Sequence, residues 1–271
     1  MLIAATLLLL KTPFTVDRDI VFATIGQTPL KCDVYKPDVS GTTKAVAVFY
    51  GGAWISGKKE DVKAACEGLA AQGYTAVAFQ YRLAPTHKYP AMIDDARTGV
   101  RWLRSKAKDF NIDPKRIASM GFSAGGHLSL LLGYSDVKGA QPYGEFSSKT
   151  QVVLDFFGPT DLSNTSDYPK NLDGVFALVL GKARDKAIEE VKAASPINYV
   201  NKDSAATFIY QGLADPLVNP HQSRILEEAL NKAKVPVEAV YLEDVKHEVP
   251  ITNPKVQEAV AKSVAFLKKH L

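Results

Sequence analysis

Arg116-Ile117-Ala118-Ser119-Met120-Gly121-Phe122-Ser123-Ala124-Gly125-Gly126-His127-Leu128 is the stretch whose reading decides the fold. Arg116–Gly121 reads as a short buried strand, and Ala124–Tyr134 as an apolar helix rich in small residues. Between them stands Gly121-Phe122-Ser123-Ala124-Gly125, which matches G-x-S-x-G. A serine on a sharp, strained strand-to-helix turn needs almost no side chain two residues to either side. Such a turn exposes the hydroxyl above a sheet and points the helix N-terminus, with the Ala124 N–H, at the oxygen of an attacked carbonyl. Composition alone would produce the pentapeptide in about one chain in ten of this length, so its weight comes from the strand before it and the helix after it.

The same strand-then-helix rhythm runs through the chain. Lys44–Tyr50, Tyr74–Gln80, Val152–Phe157, Ala206–Gln211 and Pro236–Leu242 are further strands. Helices are predicted over Asp61–Gln72, with Asp61 as N-cap and Gly73 as C-terminal cap, and over Pro90–Phe110, Gln222–Lys232 and Pro254–Lys269. Asn253 and Pro254 suit the cap and first turn of the last one. Asp19–Thr24 and Leu30–Tyr35 flank Gly26-Gln27-Thr28 as an antiparallel hairpin. Repeated βα units predict an α/β fold: a mostly parallel central sheet flanked by helices, with ligands beyond the carboxyl ends of its strands. Asp161–Asn201 breaks the rhythm. Its helical pieces, Leu172–Leu180 and Asp185–Ala194, have no strand between them, as a small cap insertion would.

The 271 residues, 46% hydrophobic and 23% charged, suit one domain over 16–271 with the insertion at 161–201, and exclude disorder. The 33 basic and 29 acidic residues are mixed along the chain, which is not the concentrated basic footprint nucleic acid requires. Cys32 and Cys66 make no disulfide framework and match no metal spacing; they read as small buried hydrophobes, and no metal or cofactor is expected. Leu2–Leu10 is far shorter than the ~20 residues a membrane span needs, so no stable membrane insertion is expected. Residues 1–15 resemble a signal-peptide remnant or an N-terminal extension, although no Lys or Arg precedes the apolar run, and the compartment stays open.

A serine hydroxyl needs a base, and the base an orienting acid, which this kind of fold supplies in the order Ser, Asp or Glu, His. Of the histidines, His87 and His127 come before or almost against Ser123, His221 sits early in a helix, and His270 is next to the terminus. Only His247 occupies a loop directly after a strand. Asp215, in Gln211-Gly212-Leu213-Ala214-Asp215-Pro216, follows the preceding strand and can reach it. Its competitors are Asp155, inside a strand run, and Asp161, which opens a helix where N-capping is the plainer role. Asp244 and Glu248 lie too close to His247 along the chain.

Tyr50-Gly51-Gly52-Ala53-Trp54 follows a strand, as the loop that supplies further oxyanion donors does. Gly52-Ala53-Trp54-Ile55-Ser56-Gly57-Lys58-Lys59 is also one residue short of a phosphate-binding P-loop. Lys59 stands where a magnesium-binding hydroxyl belongs, and Trp54 and Ile55 would crowd a phosphate cradle, so a nucleotide site is set aside. Trp54 either walls the acyl or alcohol pocket or packs the loop.

These segments, together with Tyr81-Arg82-Leu83-Ala84-Pro85, Tyr89-Pro90-Ala91 and Ala194-Ser195-Pro196, resemble the α/β-hydrolase superfamily. The likeness is to esterases with an H-G-G-x-W oxyanion loop and a G-x-S-A-G-G nucleophile turn: hormone-sensitive-lipase-like carboxylesterases, bifunctional feruloyl and acetyl-xylan esterases, and kynurenine formamidases. It implies the α/β-hydrolase fold, a triad of Ser123, Asp215 and His247, and oxyanion donors at Gly52, Ala53 and Ala124. Two residues depart from the pattern. Tyr50 stands where the family usually has the His that braces the oxyanion loop, and Glu248 stands where Gly is commoner.

The expected activity is that of a serine carboxylic-ester hydrolase on short-chain or aromatic acyl esters. By resemblance the first substrate is an acetyl or feruloyl ester of plant cell-wall polysaccharide. The partners expected are this small-molecule or polysaccharide-linked ester and no nucleic acid, with the chain a monomer or homodimer. An arylformamidase-like amide hydrolase would use identical residues. A non-catalytic ligand-binding relative is the alternative outside enzymes. A peptidase of the prolyl-oligopeptidase kind would need the ~300 or more residues of a propeller that this chain lacks.

Overall fold

A computed structural model describes residues 12–137 and 142–271. The apolar run Leu2–Leu10, read above as part of a leader or extension, lies outside the described residues.

Eight strands form one sheet in the order β1-β2-β4-β3-β5-β6-β7-β8. β1 (Phe14–Ile25) and β2 (Thr28–Pro37) make the hairpin, and β2 pairs antiparallel with β4 (Thr75–Phe79). β3 (Thr43–Phe49), β5 (Ile112–Phe122), β6 (Val152–Phe156), β7 (Ala206–Gly212) and β8 (Val237–Leu242) continue the sheet in parallel. The interior strands are apolar on both sides, and Val46, Ala47, Val48, Val77 and Ala118 are fully buried, as a sheet covered on two faces requires.

Small residues at the crossing points let the helices lie close. α1 (Lys63–Ala71) and α7 (Pro254–His270) share one face, where Met120 and Leu154 point. α3 (Ala124–Tyr134) and α6 (His221–Lys232) share the other, where Leu130, Ile209, Leu226 and Leu230 form a common apolar cluster. α2 (Ala91–Ser105) packs beside α3. The chain leaves β3 for β4 on one side and returns for β5 on the other. That reversal opens a crevice beyond the carboxyl ends of β3 and β5, the place where such sheets bind ligands.

Three local expectations are corrected. α2 ends at Ser105 and not Phe110, because the chain curls through Lys106–Asn111 to enter β5, with Asn111 in the left-handed region at φ 53°. Asp61 is not an N-cap. It stands at the third position of a short 3-10 turn (Lys59–Val62), and its carboxylate accepts from Lys58 N at 2.9 Å. Asp161 caps no helix either: it accepts from Ser163 N (2.8 Å) and Ser163 Oγ (2.6 Å) in a tight local turn. By contrast Asn253 does cap α7, accepting from Lys255 N at 2.9 Å.

Between β6 and β7 lie α4 (Asp173–Leu180), α5 (Ile188–Ala194) and several 3-10 turns. This segment is moored to the body of the fold. Val179 O accepts from Tyr89 N (2.8 Å), and Ala193 O from the Tyr89 hydroxyl (2.8 Å). Gln222, buried at the start of α6, accepts from Thr160 N, Asp161 N and Tyr168 Oη while its amide donates to Asp167.

Candidate active site

Ser123 sits at the junction of β5 and α3 with φ 53° and ψ −118°, a conformation that costs an ordinary residue of order 1–3 kcal/mol. Its surroundings hold it there. Ser123 N donates to Phe156 O (2.9 Å), and Ser123 O accepts from His127 N (3.0 Å), so the residue closes the first turn of α3. The glycines on either side are demanded by contact: a Cβ on Gly121 would stand 2.1 Å from Gly125 O, and one on Gly125 would stand 2.2 Å from Phe49 O. The helix is thereby pressed against the end of β3, where the candidate oxyanion loop begins.

That loop follows at Gly51–Ser56. A Cβ on Gly51 would lie 3.3 Å from Ser123 Cβ, so the loop runs directly beside the serine. Gly52, Ala53 and Trp54 take positive φ in succession (115°, 51° and 60°), which turns the backbone N–H groups away from ordinary ladder partners. Among the described residues neither Gly52 N nor Ala53 N donates a hydrogen bond within the protein. Ala124 N is the first N–H of α3 and has no acceptor in its own helix. The three candidate oxyanion donors therefore lie on the two segments that flank Ser123, and the helix N-terminus adds its partial positive charge there.

Tyr50, immediately before the glycines, braces the loop through its phenol. Its hydroxyl donates to Tyr81 O (3.1 Å), while the Tyr81 hydroxyl donates to Tyr50 O (2.9 Å). The two rings stack at 4.2 Å between centroids. Burial raises the pKa of both phenols, so they remain neutral donors.

His247 lies in the loop after β8 and Asp215 in the loop after β7, and His247 Nδ1 is 2.6 Å from Asp215 Oδ2. The carboxylate is held on all sides: Oδ1 accepts from Leu217 N (2.8 Å) and Val218 N (3.0 Å), and Oδ2 from Gln211 Nε2 (3.2 Å). Ala214 N donates to Val245 O at 3.0 Å, which fastens one loop to the other. With Nδ1–H committed to the carboxylate, Nε2 is left as the acceptor, and among the described residues it has no protein partner. Ser123 Oγ likewise makes no hydrogen bond among them. The Phe157 ring packs 4.5 Å from the imidazole and shields it. Neither Asp155 nor Asp161 is hydrogen-bonded to a histidine. Asp155 lies beneath α3, where Oδ1 accepts from Gly158 N (3.1 Å), Oδ2 has no partner, and burial pushes the carboxyl up to about 7.

Trp54 lies packed within the protein. The side chain is 4% exposed, its indole N–H donates to His127 Nδ1 (3.2 Å), and it lies against Phe176 of α4. His127 in turn donates from Nε2 to Ala194 O (2.6 Å). Burial lowers its pKa to about 4, and the neutral ring bridges the oxyanion loop to the segment before β7. Sequence reasoning passed over this histidine as too near Ser123. It also gave no role to Tyr81, Gln211 or Gln222, whose only sequence signal is a polar group at a buried position. Among the described residues no group of three or more His, Cys, Asp or Glu is placed to hold a metal ion, and no helix is long and apolar enough to cross a membrane.

The reversed sheet order, the strained serine turn and the glycine loop beside it define an α/β-hydrolase. The BD-FAE family model matches residues 32–230, and the chain belongs to that family. It is similar to the probable carboxylic ester hydrolase LipM of Mycobacterium tuberculosis, 29% identical over 236 residues that cover 84% of this chain and 54% of LipM. Two solved structures share the fold at about a quarter sequence identity. One is a truncated form of a carbohydrate esterase from gut microbiota (TM-score 0.82, 25% identity, 96% of this chain and 98% of that one). The other is an acetyl ester-xyloside bifunctional hydrolase from Caldicellulosiruptor lactoaceticus (TM-score 0.79, 26% identity, 89% of each chain). The chain spans about half the length of the curated relatives it matches.

Proposed function

We propose that the chain is a serine carboxylic-ester hydrolase, with Ser123 as nucleophile, His247 as general base and Asp215 as the acid that orients it. The observation that carries this reading is the 2.6 Å contact between His247 Nδ1 and Asp215 Oδ2 at the same end of the sheet as the Ser123 turn. His247 Nε2 takes the Ser123 proton as Oγ attacks the ester carbonyl. The tetrahedral oxyanion is held by Gly52 N, Ala53 N and Ala124 N. Collapse expels the alcohol with the proton from His247, leaving an acyl-enzyme, and a water activated by the same imidazole releases the acid. Asp215 fixes the tautomer and favours the charged ring. Each oxyanion donor is expected to contribute about 3–4 kcal/mol to the barrier reduction.

The substrates that best suit the site are short or aromatic acyl esters, with acetyl and feruloyl esters of plant-wall polysaccharide first. The names of the two structural relatives above support a carbohydrate ester, and the modest size of the 161–201 segment, read as a small cap on a 16–271 domain, supports a short acyl group. The test is Ser123→Ala, assayed on nitrophenyl acetate and labelled with a fluorophosphonate. The variant should lose at least about 10⁴-fold in rate and all labelling. Retained turnover or labelling at another residue would remove Ser123 from the reaction.

A further inference from the structure

Gln211, one residue before the end of β7, is a polar side chain with no exposed surface, at a strand position that an apolar residue could fill without desolvating an amide. Its orientation is forced. Nε2 lies 3.0 Å from Gly212 O, 3.2 Å from Asp215 Oδ2 and 3.4 Å from Val218 O. Carbonyl and carboxylate oxygens only accept, so the N–H₂ end must face them. Oε1 is thereby turned toward α6, where the hydroxyl of Ser223, also fully buried, donates to it at 2.9 Å. That hydroxyl locks the amide against turning over.

Among the described residues Asp215 Oδ2 has two partners, Gln211 Nε2 and His247 Nδ1, which share the one oxygen. The other oxygen is taken by the backbone N–H groups of Leu217 and Val218. Gln211 is therefore the only side chain besides the imidazole that donates to this carboxylate among the described residues. A donor on an ionised carboxylate stabilises its charged form and draws off part of the charge otherwise directed at the imidazole. The ring is then less readily protonated in the empty site, the state in which it has to accept from Ser123. Neighbouring charges do not substitute for this contact. Lys246 and Glu248 flank His247 in its own loop, with the Tyr210 hydroxyl of β7 donating to Glu248 O (3.2 Å). Asp167, before α4, is paired with His221 of α6 at 2.8 Å, and Asp155 of β6 is turned beneath α3. None of these side chains is hydrogen-bonded to Asp215.

We propose that Gln211, oriented by Ser223, is a positioning residue that sets the proton affinity of the Asp215–His247 pair. The proposal rests on the ester-hydrolase reading for its effect on rate, while the proton affinity is measured apart from turnover. In the Ser123→Ala chain, NMR titration of the His247 ring signals gives a protonation midpoint without catalysis. Adding Gln211→Met, which keeps the length of the side chain and removes the donor, should move that midpoint upward by about half to one pH unit. With Ser123 intact, the same substitution should carry the acid limb of the kcat/KM profile for nitrophenyl acetate to higher pH by a similar amount, since that limb reports the base of the free enzyme. Ser223→Ala removes one hydroxyl, leaves the contacts of Gln211 Nε2 in place and serves if Gln211→Met does not fold; it should move both values in the same direction. A folded variant in which either value stays at its wild-type position or moves to lower pH, with only the melting temperature reduced, makes Gln211 a packing residue and overturns the proposal. Failure of the wild-type chain to cleave the ester removes the hydrolase reading instead, and the NMR midpoint alone then decides the role of Gln211.

Discussion

The hydroxyls of Tyr50 and Tyr81 each donate to the other residue's main-chain carbonyl, at 3.1 and 2.9 Å, across the ends of two adjacent parallel strands. The pair fixes where β3 stops and where Gly51 begins, and so sets the direction of the Gly52 and Ala53 N–H groups. Tyr50→Phe keeps the stacked ring and removes one donor, leaving Tyr81 O buried and unpaired at a cost of about 1–3 kcal/mol. Steady-state kinetics should show kcat reduced about tenfold with KM little changed, because the proposed oxyanion donors would act mainly on the transition state. A variant that loses thermal stability yet keeps full kcat would show that the loop holds its shape without the pair.

Asp215→Asn retains an oxygen for Leu217 N and Val218 N, so the fold should survive. The new amide would donate toward His247 Nδ1 and favour the tautomer with its proton on Nε2, where it cannot accept from Ser123. In the serine-protease triad the equivalent change costs about 10⁴ in kcat, and a loss of about 10³–10⁴ is expected here. Thermal melting alongside the rate assay checks it; an activity loss below tenfold would take Asp215 out of the role.

Asp155 predicts a pH dependence of stability. Its carboxyl is raised by burial from the ordinary 3.8 to about 7, outweighing the hydrogen bond from Gly158 N. Between pH 4 and 7 the unfolded chain therefore ionises this group while the folded chain keeps it protonated, so the group costs stability progressively as pH rises and the cost levels off above 7. Asp155→Asn removes that titration. The melting temperature of the variant relative to wild type should climb from pH 4 to 7 and then flatten, by an amount corresponding to a few kcal/mol. A constant difference across the range would mean that Asp155 titrates normally.

His127 has the opposite sign. Its folded pKa is lowered from 6.5 to about 4 by burial, so its contribution is complete above 6.5 and is lost as pH falls toward 4. His127→Leu should destabilise by about 2–5 kcal/mol at pH 7, since it strands both the Trp54 indole N–H and Ala194 O. The loss should shrink as pH approaches 4. Denaturant melts at pH 7 and 4.5 would reveal it, and an equal loss at both would contradict the neutral-bridge role.

Much of this architecture is legible in the chain because strands buried on two faces must be apolar runs, and because α3 begins at a residue whose neighbours have to be glycine. The pairing of Asp215 with His247 was also readable, since both follow strands on one side of Ser123. What escaped depends on partners far apart in sequence. The Tyr50–Tyr81 exchange needs two strand ends side by side, and nothing local distinguishes a phenol facing a carbonyl from one packed in a core. The bridging role of His127 depends on Trp54 and Ala194, 73 and 67 positions away. α2 was overextended because Ala107 and Phe110 keep the apolar spacing, while the turn there is imposed by the need to enter β5.

The contact between Gly125 and the carbonyl of Phe49 has a consequence for how selectivity could change over time. With helix and loop touching backbone to backbone, the proposed nucleophile and the proposed oxyanion donors form one stiff unit that tolerates almost no retouching. On the proposed reading, new preferences among esters would then have to be written at the periphery, in the segment between β6 and β7, where residues can be exchanged while the turn and the loop stay as they are.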